Sequence, residues 1–159
     1  GAATAVEQIV FADNTVWTSV EMTANAWIRG TTATNAVSGT NGNDTLFGSG
    51  GPDTLIGGSG SDTFVIALDG SADLIQDFAI SLGERVVFDA GSFGLDRHSS
   101  VADYLAFTSS APDATHGYFL VSQNGVTWDS DGAGSQAATS VVRFQQTVPG
   151  LTSANFGFV

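Results

Sequence analysis

Residues 39–65 consist of three consecutive nine-residue units, and this repeat constrains the fold more than any other feature of the chain. The units read GTNGNDTLF, GSGGPDTLI and GGSGSDTFV, with no gap between them. Aspartate is sixth and threonine seventh in each unit, a large apolar residue is eighth, and glycines fill most of the first, second and fourth positions. Residues 30–38 form a degenerate unit that carries Asn35 in place of the aspartate. A fixed period of this kind predicts a solenoid whose units stack on one another.

Each unit combines a short strand with a turn that is rich in oxygen donors. Its last three residues favour a β-strand with the eighth side chain inward, and its first six form a glycine-rich turn with free carbonyl oxygens. Carbonyl oxygens and one carboxylate per turn suit Ca²⁺ far better than zinc or copper. With two units per right-handed coil turn, Asp44 and Asp62 are predicted to face one cation on the same edge, and Asp53 to lie on the opposite edge.

The units resemble the repeats-in-toxin (RTX) nonapeptide, G-G-x-G-x-D-x-U-x, a calcium-binding β-helix repeat. The resemblance implies an all-β fold: a short, right-handed parallel β-roll capped by antiparallel strands, with one or two short helices. It also implies Ca²⁺ as the bound ion. The candidate ligands in the repeats are Asp44, Asp53 and Asp62 and the turn residues Gly39, Asn41, Asn43, Gly48, Gly50, Gly58 and Gly60.

The segment after the last repeat resembles the one that closes the roll in secreted RTX proteins, including the serralysin C-terminal domain. The pattern D-x-I-x-D-F reads here as Asp73-Leu74-Ile75-Gln76-Asp77-Phe78. The resemblance implies that Asp73, and also Asp69 or Asp77, complete the last calcium sites. For Asp69 and Asp77 the alternative is a solvated turn carboxylate. One site between the first and third units is expected, and one or two more depend on the degenerate unit and on residues 69–77.

Charge and composition exclude several classes of partner. Sixteen acidic residues face four basic ones, for a net charge of -12, so nucleic acid and anionic membrane surfaces are poor partners. Six acids and no base lie between residues 40 and 80, and their repulsion is expected to hold the roll open without a cation. The chain has no cysteine, which excludes disulfides and thiolate metal sites. No apolar run approaches 18 residues, and the first residues lack the pattern of a Sec signal peptide.

The repeat predicts three parts: an N-terminal flank over residues 1–29, a calcium-binding roll over 30–80 and a C-terminal β cap over 81–159. In the flank, residues 6–18 favour a strand, a turn at Asp13-Asn14 and a second strand, and VEMTANAWI (20–28) favours a short helix. Residues 6–17 also resemble a segment often found beside RTX repeats in large bacterial exoproteins. We therefore expect the chain to be a C-terminal piece of a longer one.

In the cap, residues 99–107 favour a helical turn followed by a strand. Residues 117–122 and 126–129 flank Asn124-Gly125, which indicates a type I′ hairpin, and 139–145 favour a further strand. Burial is expected for Phe119, Trp128, Val142 and Phe144. Residues 149–159 resemble an uncleaved type I secretion signal, with Asn155 where an acid is usual; a last strand packed into the cap is the alternative, and both can hold.

Motifs of enzymes are missing from the sequence: it has no HExxH, GxSxG, P-loop or cysteine nucleophile. His98 and His116 lie in separate loops and predict no triad. Asp129-Ser130-Asp131-Gly132 matches part of an EF-hand loop but lacks its third acid and closing glutamate, which favours a turn. For each of the three tryptophans, core packing is favoured over a sugar-binding platform.

These observations predict a non-catalytic, calcium-dependent module, exported or on the bacterial cell surface, that folds after passage through a type I secretion apparatus. Its folding then supports that of a larger exoprotein. The alternative is a carbohydrate-binding or adhesion module, because calcium-binding modules of bacterial alginate epimerases resemble this architecture and contact polysaccharide. A chain with four arginines and no lysine is poorly suited to bind the polyanion alginate. The alternative therefore predicts binding to a neutral glycan or to a cell surface.

Overall fold

The computed structural model describes residues 8–10, 12–18, 26–108 and 110–159, and over these residues the chain is built from short strands and single 3-10 turns. Two sheets form the body. The first contains five parallel strands in the spatial order β14 (Phe156–Phe158), β9 (Arg85–Phe88), β7 (Thr63–Ile66), β5 (Thr45–Phe47) and β3 (Trp27–Arg29). The second has the order β10 (Leu105–Ala106), β11 (Tyr118–Ser122), β12 (Gly125–Asp129), β13 (Thr139–Phe144), β8 (Asp73–Ile75), β6 (Thr54–Ile56) and β4 (Ala36–Ser38).

The pairing register follows the repeat. Successive units alternate between the two sheets, so each strand pairs with the one two units away, as Thr45 does with Thr63. Hydrogen bonds between the backbone of one turn and a side chain of the turn stacked on it join residues 18 apart within the repeats. Beyond the repeats, such bonds join residues 20 and 22 apart. The longer spacing means that the loops after residue 66 are wider than a repeat turn. The predicted parallel β-roll is confirmed, with units one and three in one sheet.

The eighth residue of each unit points into a single apolar core. Leu46, Leu55 and Phe64 are completely buried there, and Val37 of the degenerate unit joins them. The predicted cap residues are buried in the same cluster: Phe119, Trp128, Val142 and Phe144. Since this cluster runs from the repeats into the cap, burial of apolar area holds the two parts together.

The C-terminal strands extend the roll instead of covering it as a separate layer. Strand β13 pairs in parallel with β8, and β12 and β11 add to it as antiparallel strands. Strand β14 pairs in parallel with β9, so the predicted last strand lies in the first sheet, with Phe156 buried. A 3-10 turn over Val101–Tyr104 precedes β10, as predicted. Further 3-10 turns lie at Ile80–Leu82 and Ser153–Asn155.

Two local predictions are wrong. The helix predicted over 20–28 is not formed at its end, where Trp27 begins β3, pairs with Thr45 and packs edge-on against Phe47; the prediction for residues 20–25 lies outside the described part. Pairing in a sheet overrides a weak helix propensity. The flank's other prediction holds: β1 (Gln8–Val10) and β2 (Val16–Thr18) form a small antiparallel sheet.

The hairpin between β11 and β12 forms, but its turn is shifted by one residue. Ser122 pairs with Gly125, so Gln123 and Asn124 occupy the turn, and Asn124 does not take the positive φ that a type I′ turn requires. Gly125 is instead the first strand residue, at φ 150, where any side chain would collide with the Val142 carbonyl oxygen. The glycine is therefore needed for close approach of β13 and not for the turn.

Candidate metal centre

The sixth residues of the units form two columns, one along each edge of the roll. Acids that follow the repeats extend both columns. The column that we call the Asp53 edge contains Asn35, Asp53, Asp69 and Asp73, and the Asp62 edge contains Asp44, Asp62, Asp77 and Glu84. The strands fix six of these positions, because every residue except Asp69 and Asp77 directly precedes, or in the case of Asp73 begins, a strand of the sheet on its edge. Every sequence-predicted carboxylate lies in one of the two columns, and Asp69 and Asp77 lie on opposite edges.

On the Asp53 edge the acids are linked through the backbone. The Asn35 N–H donates to Asp53 Oδ1 at 2.6 Å, and the Asp53 N–H donates to Asp73 Oδ1 at 3.0 Å. Asp69 lies beside them, since its negative charge contributes to raising the pKa values of both acids. The edge therefore gathers three carboxylates, and one oxygen of Asp53 and of Asp73 is used by the stack.

The Asp62 edge repeats this pattern one unit later. The Asp44 N–H donates to Asp62 Oδ1 at 2.9 Å, so the two residues lie close together on this edge. The Asp77 carboxylate accepts the N–H groups of Gly57 and Gly58, each at 2.9 Å, and so closes the turn of the third unit. Glu84 Oε2 accepts the Ala79 N–H at 2.7 Å.

The first carboxylate of the stack is satisfied within its own turn. Asp44 Oδ2 accepts hydrogen bonds from the Thr40 N–H at 2.6 Å and from the Thr40 hydroxyl at 2.8 Å. Asn35 uses its Oδ1 in the same way with Thr31. The second and third units carry serine and glycine at this position, and their aspartates each keep one oxygen without a hydrogen-bond partner.

The predicted turn residues all lie in the turns of the two edges. Gly48 is required there, because a side chain on it would collide with the Asp53 carboxylate of its own unit; Gly57, which was not among the predicted residues, meets Asp62 in the same way. Asn43 Oδ1 accepts the Ser61 N–H at 2.8 Å, which ties the turns of the first and third units together. The other turn residues of the candidate set are Gly39, Asn41, Gly50, Gly58 and Gly60.

Burial makes the charged form of these acids costly. Burial raises the pKa of Asp73 to about 6 and that of Glu84 to about 7, and neighbouring carboxylates add to both shifts. The pKa values of Asp53 and Asp62 are raised for the same two reasons. Among the described residues the one ion pair is His98 with Asp96, so no column carboxylate is neutralised by a basic side chain there. Buried like charges of this kind need a cation or a proton.

The donor set fits Ca²⁺. Asp53 Oδ2, Asp62 Oδ2 and Glu84 Oε1 are buried and have no hydrogen-bond partner. A buried carboxylate oxygen without a hydrogen-bond partner is strongly unfavourable unless a cation binds it. No group of three or more His, Cys, Asp or Glu side chains able to hold a metal is found in the described ranges. Backbone carbonyl oxygens therefore have to supply the rest of any coordination shell, which is a hard-cation arrangement.

Comparison with known families agrees with this geometry. The model of the RTX calcium-binding nonapeptide repeat matches residues 29–65 in four copies. Residues 29–65 are RTX calcium-binding repeats. The four copies include the degenerate unit with Asn35, and the bound ion of such repeats is Ca²⁺. The model of a haemolysin-type calcium binding protein related domain matches residues 1–20, in agreement with the resemblance of residues 6–17. No curated protein matches this chain significantly.

Glu84 is the edge residue that sequence reasoning missed. It aligns with Asp62 because Thr63 pairs with Arg85, and it is 0% exposed. It lies outside the nonapeptide phase, and a glutamate replaces the repeat's aspartate, so the period does not point to it. One sequence feature could have indicated it: Glu84 lies directly before the strand sequence RVVF, as the aspartate of each repeat lies directly before its strand.

The other candidate residues have structural roles or stand apart. Trp128 is buried in the core, Trp27 is half-buried under the Arg29 guanidinium, and the Trp17 side chain lies outside the described part. The His98 ring nitrogen Nδ1 contacts Asp96 on an exposed loop, whereas His116 stacks near Tyr118. No helix in the described part of the chain is long and apolar enough to span a bilayer.

Proposed function

We propose that the chain is a calcium-dependent folding module whose ions bind along the two edges of the roll. The carboxylates of both edges and the carbonyl oxygens of the turns are the ligands. The proposal rests above all on the three buried, unpartnered carboxylate oxygens at Asp53, Asp62 and Glu84. They leave the calcium-free roll with uncompensated charge at the positions where the repeat brings oxygen donors together.

The binding free energy of calcium then becomes folding free energy. Ligands from units 18 residues apart meet only in the folded roll, so the unfolded chain offers no preformed site. A site with a Kd of about 10⁻⁴ M, within the range of extracellular modules, adds about 1.4 kcal/mol at about 1 mM calcium. A few such sites match a large share of a domain's stability.

This switch suits a protein exported through a type I apparatus. Where calcium is scarce, inside the bacterial cell, the repeats stay open and are able to thread a channel; outside, calcium folds them. The roll then templates the folding of whatever precedes it in a larger exoprotein. We assign residues 1–29 to the flank, 30–80 to the roll and 81–159 to the cap with its secretion signal, and this role is non-catalytic.

Far-UV circular dichroism of the purified chain tests the switch. The chain is stripped of metal and titrated with calcium, and in parallel with magnesium. The proposal predicts a cooperative gain of β signal with calcium alone. A chain that is fully folded in chelator and unchanged by calcium would contradict it, because the cap strands would then carry the fold.

A matched pair of variants tests the ligand assignment. Asp44→Asn with Asp62→Asn should raise the calcium concentration at the folding midpoint severalfold. Asp96→Asn with Asp103→Asn changes the charge equally at exposed positions of the cap and should leave the midpoint unchanged. Equal midpoints for the two double variants would refute the assignment.

The carbohydrate-binding alternative stays a prediction. Of its three candidate tryptophans, Trp128 is enclosed by core aromatics such as Phe93 and Phe119, so it offers no sugar platform. Binding to a glycan array in calcium would favour this alternative, and an array without signal would disfavour it.

A further inference from the structure

The turn Asp129–Gly132 begins at the last residue of β12 in the cap. Like the two edges of the roll, it contains buried carboxylate oxygens without a hydrogen-bond partner. In the described part of the chain, five buried side-chain oxygens have no hydrogen-bond partner: three are the edge atoms of Asp53, Asp62 and Glu84. The other two are Asp129 Oδ1 and Asp131 Oδ1, two residues apart in the sequence D-S-D-G. The same electrostatic problem thus recurs once away from the two edges of the roll.

Nothing in the described surroundings neutralises these two carboxylates. Asp129 is 8% exposed, and neither acid forms an ion pair within the described residues. Asp131 uses its Oδ2 to accept the Gln136 N–H at 3.1 Å, which leaves Oδ1 turned away from solvent without a donor. Two buried carboxylate oxygens, two residues apart in the sequence and without a donor or a basic partner, are unfavourable unless a cation binds them.

The backbone around the turn brings further oxygen atoms close. Gly132 has φ 62 and lies directly against the carbonyl oxygens of Asp113 and His116. The Ala133 N–H donates to the Asp113 carbonyl at 2.6 Å, so the loop before β11 is held against the turn. Carboxylate oxygens of Asp129 and Asp131 and carbonyl oxygens of Asp113 and His116 are the type of ligand that a hard divalent cation prefers.

The carboxylate of Asp113 has a different task. Its Oδ1 accepts hydrogen bonds from the Thr115 N–H, the Thr115 hydroxyl and the Tyr118 hydroxyl, at 2.9, 2.6 and 3.1 Å. These bonds hold the pKa of Asp113 below its usual value, so it is a well-satisfied anion that shapes the loop. Within the described part of the cap, the buried oxygens without a partner belong to Asp129 and Asp131.

We infer that the Asp129–Asp131 turn is a further Ca²⁺ site, in the cap and separate from both edges, with both carboxylates as ligands and carbonyl oxygens of the adjoining loops as further donors. The site goes beyond the proposed function, because it lies outside the repeats and pins the 110–117 loop to the end of β12. It makes the cap as well as the roll sensitive to calcium.

Crystals of the unaltered chain grown in calcium test the site without any substitution. Anomalous difference density is expected between Asp129 and Asp131, at the 2.3–2.6 Å typical of calcium–oxygen bonds. Density at the roll edges with none at this turn would overturn the inference. Peaks at this turn with none at the edges would instead overturn the proposed function, so the two failures are distinguishable.

Ion counting in solution provides the second test. Native mass spectrometry with calcium acetate should find one ion fewer per chain in Asp129→Asn with Asp131→Asn than in the unaltered chain. The matched variant Asp96→Asn with Asp103→Asn should keep all ions. An unchanged count in the Asp129/Asp131 variant would refute the site and would identify any crystal peak there as an adventitious ion only.

Discussion

Removing calcium should reverse the sign of this protein's dependence on pH between about pH 4.5 and 7. In calcium-free solution Asp73 and Glu84 carry raised pKa values, about 6 and about 7, against 3.8 and 4.5 for the free side chains. The native state therefore binds more protons than the unfolded state in this range. The free energy of unfolding must then fall as pH rises through these values, and rise on acidification.

The magnitude follows from the sizes of the two shifts. One pKa unit corresponds to about 1.4 kcal/mol, so each shift of somewhat over two units represents about 2–3 kcal/mol after partial screening by solvent near the turns. Together they amount to about 4–6 kcal/mol between pH 8 and 4, comparable with the whole stability of a small domain. Acids whose pKa is lowered, such as Asp96 and Asp113, act only at pH values below about 4.

The assay is urea unfolding followed by circular dichroism at one-unit steps from pH 8 to 4. It is carried out on metal-stripped protein in treated buffer and again in about 10 mM calcium, far above the roughly 10⁻⁴–10⁻³ M expected Kd. Without calcium, structure should appear or strengthen on acidification. With calcium, acidification should destabilise the fold, because protons displace the ion from the same carboxylates.

Glu84→Gln provides the control. Glutamine keeps the shape and is able to accept the Ala79 N–H, yet it carries no charge. The calcium-free variant should lose the part of the pH dependence between about pH 7 and 5 and be more stable than the parent at pH 8. Calcium-free protein that loses stability on acidification from pH 7 to 5 would refute the reasoning about buried charge.

Three substitutions test the packing of the roll and cap. Leu55→Ala, at a fully buried position, should lower the free energy of unfolding in calcium by about 2–5 kcal/mol in urea titrations, and a loss below 1 kcal/mol would argue against a close-packed core. Gly125→Ala should cost about 1–3 kcal/mol or more, since a Cβ meets the Val142 carbonyl at a φ of 150; unchanged thermal unfolding would disprove that contact. Gly48→Ala should raise the calcium midpoint severalfold by displacing the carboxylate of its own turn, whereas Gly91→Ala, with an ordinary contact at 3.5 Å, should not; equal midpoints would exclude the proposed role of the turn.

The period of nine was sufficient to predict most of the roll. It specifies the strands, the inward eighth residues and the alternation of Asp44, Asp53 and Asp62 between the two edges, because each depends only on local spacing. Beyond the last repeat, the period did not point to Glu84. Glu84 lies 22 residues from Asp62, a spacing set by a wide loop and not by the repeat.

The cap shows the same division in a different way. Residue types predicted its strands and buried aromatic residues, since apolar alternation and turn residues are local signals. They misplaced the hairpin turn, because Gly125 serves the close approach of β13, a strand that begins fourteen residues later. They misassigned Trp27 because its partner strand, β5, is two units away in the sequence.

The sequence by itself determined the repeat, the ion it binds and the acids that alternate along it, because a fixed period places identical chemistry at identical positions. Only the tertiary structure decided which of these acids are short of partners. Asp44 is satisfied by Thr40 in its own turn, whereas Asp62 and Asp129 are buried with an unpaired oxygen. Burial and hydrogen bonding are properties of the packed chain, and they determine where a carboxylate needs a cation.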